Sequence, residues 1–585
     1  MRDRLLAFII VSLIAVGPRA RAQEDVTIFD LPARFRQINA LLQQVQRARA
    51  ANKLGEAEKL ANEAAQVLEP IPETLFQLAV IQIQRGRHDE AFNNISKAVD
   101  SGFNKPQILQ QAIFAPLANM DGWKELLAKA KTARPDSNAL WQRRAVPANV
   151  EKGIAMVSEK NTMWVPPGNI LISLFEIPEE NKQNPIARGK SEVVEKLRQW
   201  QDEGTAAGNH GDYYDNHDRN HSNVRFRNFP QLTRIEYSKE AIARNLDHGA
   251  QVNMLFGGVV IGNSSTSVSI KKLWRSQPRL IASNQLTVNQ AYNQYSNNHL
   301  YFYPEHRDYD PGHNGKPKGA HGDVYFANLP FLVISQGSSY TDKPFMNAAL
   351  TTLAAFRPEV KTKLRQAKHL MPALQMIMRR TNKNVLSDDD YLSGKAHPVV
   401  FDGENLNPLG MIEMAHSMRA DHLPPFAKIR VVQEDRPQGT AAPEKLFDSP
   451  VAVARIHRST SYTRKMVVDA SNSKDINGEP LQYLWKVLQG DPERITIRPL
   501  SPDSKRVELK VAWHSRFPVS PDSQMETNRV DIGCFVSNGT WMSPPAIVST
   551  YFPDNETRAY VNGELLKLEK NKNYSDPILE ARRAE

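Results

Sequence analysis

Two stretches of this chain gather the side chains that bind metals and move protons near neutral pH. Residues 209–221 read NHGDYYDNHDRNH, and residues 299–323 read HLYFYPEHRDYDPGHNGKPKGAHGD; together they hold seven of the fifteen histidines. Imidazole and carboxylate are the groups that ligate cations or act as acid and base at physiological pH. In the first stretch Asp215, His217, Asp218 and His221 lie within one reach of chain. Such a set could hold a divalent metal through His210, Asp215, His217 and His221, or supply a base oriented by a carboxylate. The second stretch adds His299, His306, Asp308, Asp310, His313, His321 and Asp323. His217, Asp218, His306 and His321 are the catalytic candidates of the two together. Tyr213, Tyr214, Tyr301 and Tyr303 offer flat faces on which a sugar ring can stack. Gly204, Gly208 and Gly211 before the first cluster, and Pro311, Gly312, Gly315 and Gly319 in the second, predict loops that display these groups. If the loops converge, the cleft between them is polar and aromatic.

A third candidate is Phe331-Leu332-Val333-Ile334-Ser335-Gln336-Gly337-Ser338-Ser339, which reads as a buried strand and a Gly/Ser turn ahead of a helix. Free N–H groups at such a helix start can receive an anion, making Ser338 and Ser339 ligand contacts; the turn lacks the Gly-x-Ser-x-Gly elbow of a serine nucleophile. Capping by Asp342 accounts for the polar residues equally well. The polar run Asn263-Ser264-Ser265-Thr266 follows an apolar strand and belongs with the same cleft. Neither His-Glu-x-x-His nor Cys-x-x-Cys occurs, so the common zinc signatures are excluded. Gly208-Asn209-His210 and Gly211-Asp212 are similar to pieces of metallophosphoesterase signatures, but the order differs and the Gly-His-x-His is missing. The plain alternative for each stretch is a polar loop whose histidines and aspartates bond to one another and to backbone.

Residues 1–22 carry the marks of an export signal: Arg2 and Arg4, an apolar run from Leu5 to Val16, then Ala20-Arg21-Ala22. The run is shorter than the roughly 20 residues a membrane span requires, and no stable span is expected after its removal. Cys534 is the single cysteine, which rules out an intramolecular disulfide and suits a bacterial periplasmic or secreted chain. A net charge of +10 favours acidic surroundings such as anionic glycans or envelope polymers. No nucleic-acid module is recognisable.

The elements that must position these groups fall into three parts, a multidomain α and β chain. Residues 23–135 are helical. Leu54-Gly55-Glu56-Ala57 opens a pattern continued by Leu60, Ala64 and Val67, and Gly86-Arg87-His88-Asp89-Glu90-Ala91 opens another continued by Ile95 and Ala98. Gly, then Ala, then small residues at helical spacing resembles the tetratricopeptide repeat (TPR), which implies a protein-interaction scaffold. Residues 136–445 alternate strand and helix signals, an α/β or α+β domain. This region resembles a set of uncharacterised exported bacterial proteins, a likeness that brings no chemistry with it. Residues 446–555 carry short strands with turn signals. Val468-Asp469-Ala470-Ser471, then Asp475-x-Asn477-Gly478, then Leu481-x-Tyr483-x-Trp485 resembles the PKD domain, an immunoglobulin-like β-sandwich. That resemblance implies a Trp in the core between two sheets. Residues 556–585 read as a charged tail.

Two functions fit this layout. One is an exported binding or scaffold protein of the envelope, with the helical repeats for a protein or glycan partner and the central cleft for a glycan. The other is a hydrolase-like enzyme, dependent on a divalent metal, acting on polysaccharide or another envelope polymer.

Overall fold

The computed structural model describes residues 26–68, 71–134, 139–178, 184–219, 221–249, 254–264, 267–270, 273–305, 325–436, 444–520, 526–553 and 556–570. The chain divides into two compact units, residues 1–143 and 144–585. The central and C-terminal regions therefore share one unit.

The first unit is helical. Its main helices are α1 (Leu31–Ala50), α2 (Leu54–Gln66), α3 (Pro72–Gln84), α4 (His88–Asp100) and α5 (Trp123–Thr132). Small residues set how closely they pack: Ala57 and Ala61 of α2 meet Val45 and Ala48 of α1, and Ala91, Ile95 and Ala98 of α4 pack with Leu75 and Ala79 of α3. Pro72 starts α3, where its missing N–H has no partner to lose.

The second unit is built on a seven-stranded, wholly parallel sheet. Its strands are β1 (Ile154–Val157), β2 (Asp212–Asn216), β3 (Thr233–Tyr237), β4 (Val259–Asn263), β5 (His299–Glu305), β6 (Val333–Gln336) and β7 (Val400–Phe401). They lie in the order β7-β6-β5-β4-β2-β3-β1. The apolar runs of β4 and β6 suit strands covered on both faces, as parallel sheets require. From β2 the chain moves to β3 on one side; from β4 it moves to β5 on the other. The gap between the carboxyl ends of β2 and β4 is thus a topological switch point, where open α/β sheets form a crevice.

Two helices flank this crevice region. Helix α6 (Glu192–Asp202) starts with Ser191 accepting from the Val194 N–H. Helix α7 (Lys343–Ala355) leaves the end of β6 and packs on β4 and α6. Met371, Met376 and Met378, on a later helix, are buried core residues.

Beyond the parallel sheet the strands are β8 (Arg430–Glu434), β9 (Lys445–Asp448), β10 (Ala452–Ile456), β11 (Thr463–Asp469), β12 (Gln482–Gln489), β13 (Ile495–Pro499), β14 (Arg506–Ala512), β15 (Arg529–Ser537) and β16 (Ala546–Tyr551). They form a five-stranded sheet, β9-β10-β16-β15-β12, and a four-stranded one, β8-β11-β14-β13. All neighbours are antiparallel except β10 and β16. The sheets face each other, since Arg455 and Val548 of one and Met466, Leu509 and Val511 of the other line a cavity of about 30 Å³.

Three expectations change here. Strand β8 belongs to this sandwich by pairing with β11, so the strand region begins before residue 446. Trp485 lies on β12, an outer strand, and is only half-buried, giving its indole N–H to the Ser504 carbonyl at 2.9 Å. The buried tryptophan is Trp513, edge-on to Phe552 with centroids 5.3 Å apart. The charged tail contains a hairpin, β17 (Glu556–Val561) and β18 (Glu564–Lys570). Asn562 and Gly563, both at positive φ, make its two-residue turn. No helix among the described residues is long and apolar enough to cross a membrane.

Candidate active site

The first His/Asp stretch is not a loop. Its core, Asp212–Asn216, is the interior strand β2, paired on both edges. Burial between two parallel neighbours overrides the turn signal of the flanking glycines. Alternation along the strand then sends Tyr213 and Asp215 to one face and Tyr214 and Asn216 to the other.

On the first face Asp215 is the centre. Its register partner on β4 is Gly262, whose partner on β5 is Tyr301, so the three form one row across the sheet. A Cβ on Gly262 would lie 2.5 Å from Tyr301 Cδ1 and 2.8 Å from the Asp215 carbonyl oxygen. The absent side chain lets the Tyr301 ring cross β4 and donate its hydroxyl to Asp215 Oδ2 at 2.6 Å. Tyr237, the last residue of β3, donates to Asp215 Oδ1 at 2.8 Å. His217 Nε2 lies 2.6 Å from Asp215 Oδ2 and 3.2 Å from the Tyr237 hydroxyl. The carboxylate accepts, so Nε2 carries the proton, leaving Nδ1 as the basic nitrogen.

The Tyr237 and Tyr301 rings stand edge-on to the imidazole, with centroids at 5.8 and 5.7 Å. Asp215 is 0% exposed and His217 2% exposed. Burial pushes the Asp215 carboxyl up, but the charge and hydrogen bond of His217, with the two tyrosine hydroxyls, outweigh it and hold the group below the ordinary range. Burial and the adjacent carboxylate push both tyrosine hydroxyls well above theirs. The network is an ionised carboxylate clamped by three donors.

On the second face Asn263, at the end of β4, is a hub. Its Oδ1 accepts from the Tyr214 hydroxyl at 2.9 Å, and its Nδ2 lies 3.3 Å from Asp342 Oδ2 and 3.4 Å from the His221 carbonyl. Its own carbonyl accepts from the His217 N–H at 3.0 Å, tying the two faces together at the sheet rim. Asp342 stands at the start of α7 but makes no capping bond; it reaches to Asn263 instead. It is 0% exposed, and burial, then the charge of Asp218, push its carboxyl up to about 6 despite hydrogen bonds from Ser222 and Asn263. Arg219, Ser222 and Tyr340 around it adopt positive φ of 47°, 52° and 82°. Left-handed backbone at bulky residues is costly and gathers at functional sites.

The orphaned atoms point the same way. His217 Nδ1, Asp218 Oδ2, Ser264 Oγ and Asp342 Oδ1 are buried without a hydrogen-bond partner among the described residues. No Lys or Arg lies within 4.0 Å of Asp215, Asp218 or Asp342 among the described residues; the groups that can pair with the first two are His217 at 2.6 Å and His221 at 3.9 Å.

The remaining candidates separate. His210 precedes the amino end of β2, the edge opposite His217, and five strand residues span about 16 Å. It cannot share a cation with His217. Beside it Asp212 is held by Lys361 at 2.7 Å, a structural pair. His221 is 63% exposed and 3.9 Å from Asp218. Asp215 is committed to its three donors, and among the described residues no three His, Cys, Asp or Glu side chains could hold a metal. The proposed four-ligand set is therefore not assembled.

Tyr213, Tyr214, Tyr301 and Tyr303 are interior, none more than 7% exposed, so they offer no open face to a sugar. Burial pushes Tyr213 up to about 12, and Tyr214 is engaged with Asn263. His299 is a core histidine against Phe256, brought down to about 4 mainly by burial. Ser338 and Ser339 sit in the turn between β6 and α7, Ser338 exposed and Ser339 partly so. His306, Asp308, Tyr309, Asp310, His313, His321 and Asp323 lie outside the described residues. The two stretches nevertheless meet, through Tyr301 and Asp215. Sequence reasoning missed Tyr237 and the role of Gly262, though a lone Gly in an apolar strand signals a close approach.

No protein-family model matches this chain, and no curated protein is similar to it.

Proposed function

We propose that residues 144–585 carry a hydrolase-type active site in which His217 activates a water molecule at the rim between β2 and β4. The Asp215–His217 pair carries this reading. With Nε2–H given to Asp215, Nδ1 is the nitrogen free to accept a proton. As a water oxygen bonds to the substrate, its proton passes to Nδ1, and Asp215 stabilises the imidazolium that results. The tyrosine hydroxyls keep Asp215 ionised for that role. Asp342, protonated to higher pH than an ordinary carboxyl, is the proton source for the departing oxygen. The switch-point position supports a ligand site there. The sequence adds the setting: export to the bacterial envelope, with polysaccharide as the hydroxyl-rich substrate. The TPR-like helices would serve partner contact and the PKD-like sandwich surface attachment.

The test is turnover of chromogenic glycosides and esters by the full chain, with and without a chelator. His217→Gln places an amide donor where Nε2 sits, keeping the bond to Asp215 but removing the base. A loss of about 10²- to 10⁴-fold in kcat with the fold intact is expected. Wild-type turnover in that variant would overturn the reading.

A further inference from the structure

A second charged feature lies away from the Asp215–His217 network, on the sandwich. A groove of about 630 Å³ runs between the chain entering β8, the β9–β10 turn and the segment after β11. Lys428, Arg430 and Lys474 line it, with Ser471, Asn472 and Ser473 between them. The fold holds the two lysines together: Phe426 and Lys474 exchange backbone hydrogen bonds of 2.8 and 3.0 Å, and the Lys428 N–H donates to Ser473 Oγ at 3.0 Å.

The nearby carboxylates are already engaged. Asp448 pairs with Arg455 at 2.8 Å and with Lys445. Asp469 is shared by Arg430 at 3.2 Å and Arg506 at 3.0 Å, which leaves a positive excess. Asp475 accepts from the Asn477 and Glu479 N–H groups and from Asn538 Nδ2, so it braces a turn. Lys428 and Lys474 have no carboxylate within 4.0 Å among the described residues. Lys428 is half-buried, and burial, then the charge of Lys474, pull its ammonium down. The buried His369 is brought to about 4 by burial and then by the Lys428 charge. Like charges gathered in a concave site, with their counter-ions spent elsewhere, are the footprint of an anion.

We propose that this groove binds an anionic polymer through its sulfate or phosphate groups, held by Lys428 and Lys474 with Arg430 at the rim. The volume matches a ligand of several rings and is far larger than one oxyanion. The site would hold the enzyme on an acidic polysaccharide, but its existence does not depend on the catalytic reading.

The test is calorimetric titration of the full chain with a heparin-derived tetrasaccharide, with a neutral dextran oligosaccharide and inorganic phosphate as further arms. Lys428→Ala/Lys474→Ala should weaken tetrasaccharide binding by about tenfold or more. Lys510→Ala/Lys567→Ala removes the same charge from exposed positions outside the groove and should change it less than about twofold. Equal weakening by both doubles would show bulk charge at work and overturn the site. So would no binding by the wild type at about 1 mM, or dextran binding as tightly as the tetrasaccharide. Phosphate binding as tightly as the tetrasaccharide would overturn the polymer and leave a small free oxyanion as the ligand. Near-ultraviolet circular dichroism spectra unchanged in both doubles exclude misfolding as the cause.

Discussion

Replacing Asp342 with Asn should make the protein more stable at alkaline pH and leave its stability in acid little changed. Asp342 is fully enclosed, faces the charge of Asp218, and has its carboxyl raised from 3.8 to about 6. The folded protein keeps this proton to about pH 6, whereas the unfolded chain releases it near the ordinary value. Unfolding therefore releases a proton in that window, and wild-type stability falls as pH rises through it. The gap corresponds to about 3 kcal/mol of unfavourable charge burial above pH 7. Asn keeps an acceptor for Asn263 and Ser222 but puts an amide N–H group where the partnerless Oδ1 lies, a loss of about 1 kcal/mol. The net gain should be about 2 kcal/mol at pH 8 and absent near pH 4. Urea unfolding of the full chain at the two pH values, following the transition of the second unit, measures it. A variant less stable at pH 8, or one with the same difference at both pH values, would refute a buried, charge-opposed carboxyl. Greater stability of the Asp342→Asn variant together with reduced turnover would mark stability given up for function.

Other perturbations test the surrounding architecture. Gly262→Ala should drive the Tyr301 ring off Asp215 and cost about 2–4 kcal/mol, from overpacking plus a lost bond to a charged group; a crystal structure with the Tyr301–Asp215 bond intact would contradict it. Lys361→Met leaves Asp212 buried without its partner and should cost about 3–5 kcal/mol in thermal or urea unfolding; a cost under about 1 kcal/mol would mean water replaces the ammonium. Cys534 is fully buried, with burial pushing its thiol up. It should stay unlabelled by a thiol reagent in the native protein and react with one equivalent after unfolding. Labelling at the same rate in both states would place it at an opening surface.

Much of the element pattern was legible in the sequence. The short strands read in residues 446–555 are there as β11 to β16, because alternation and turn residues act locally. The alternation of strand and helix read in residues 136–445 is there as well, in the parallel sheet and in helices such as α6 and α7. The same local reasoning failed on residues 209–221. A strand reading DYYDN is polar by composition, and only pairing on both edges makes it an interior strand of a sheet. His210 leaves the metal set for a related reason: a strand carries residues near in sequence to opposite edges of the sheet.

Residue types and local pattern were enough to mark which groups could do chemistry, to outline most strands of the sandwich, and to place His217 and Asp218 among the candidates. Which partners those residues meet was decided only when the chain folded. Asp215 meets Tyr237 and Tyr301 from two other strands, and Asp342 is drawn from a helix start to Asn263. These contacts join residues up to 86 positions apart in the Asp215 network and 79 in the Asp342 pair. Register across β2, β4 and β5 creates the Tyr301–Asp215 contact, and register is a property of the paired sheet that no local window of sequence contains.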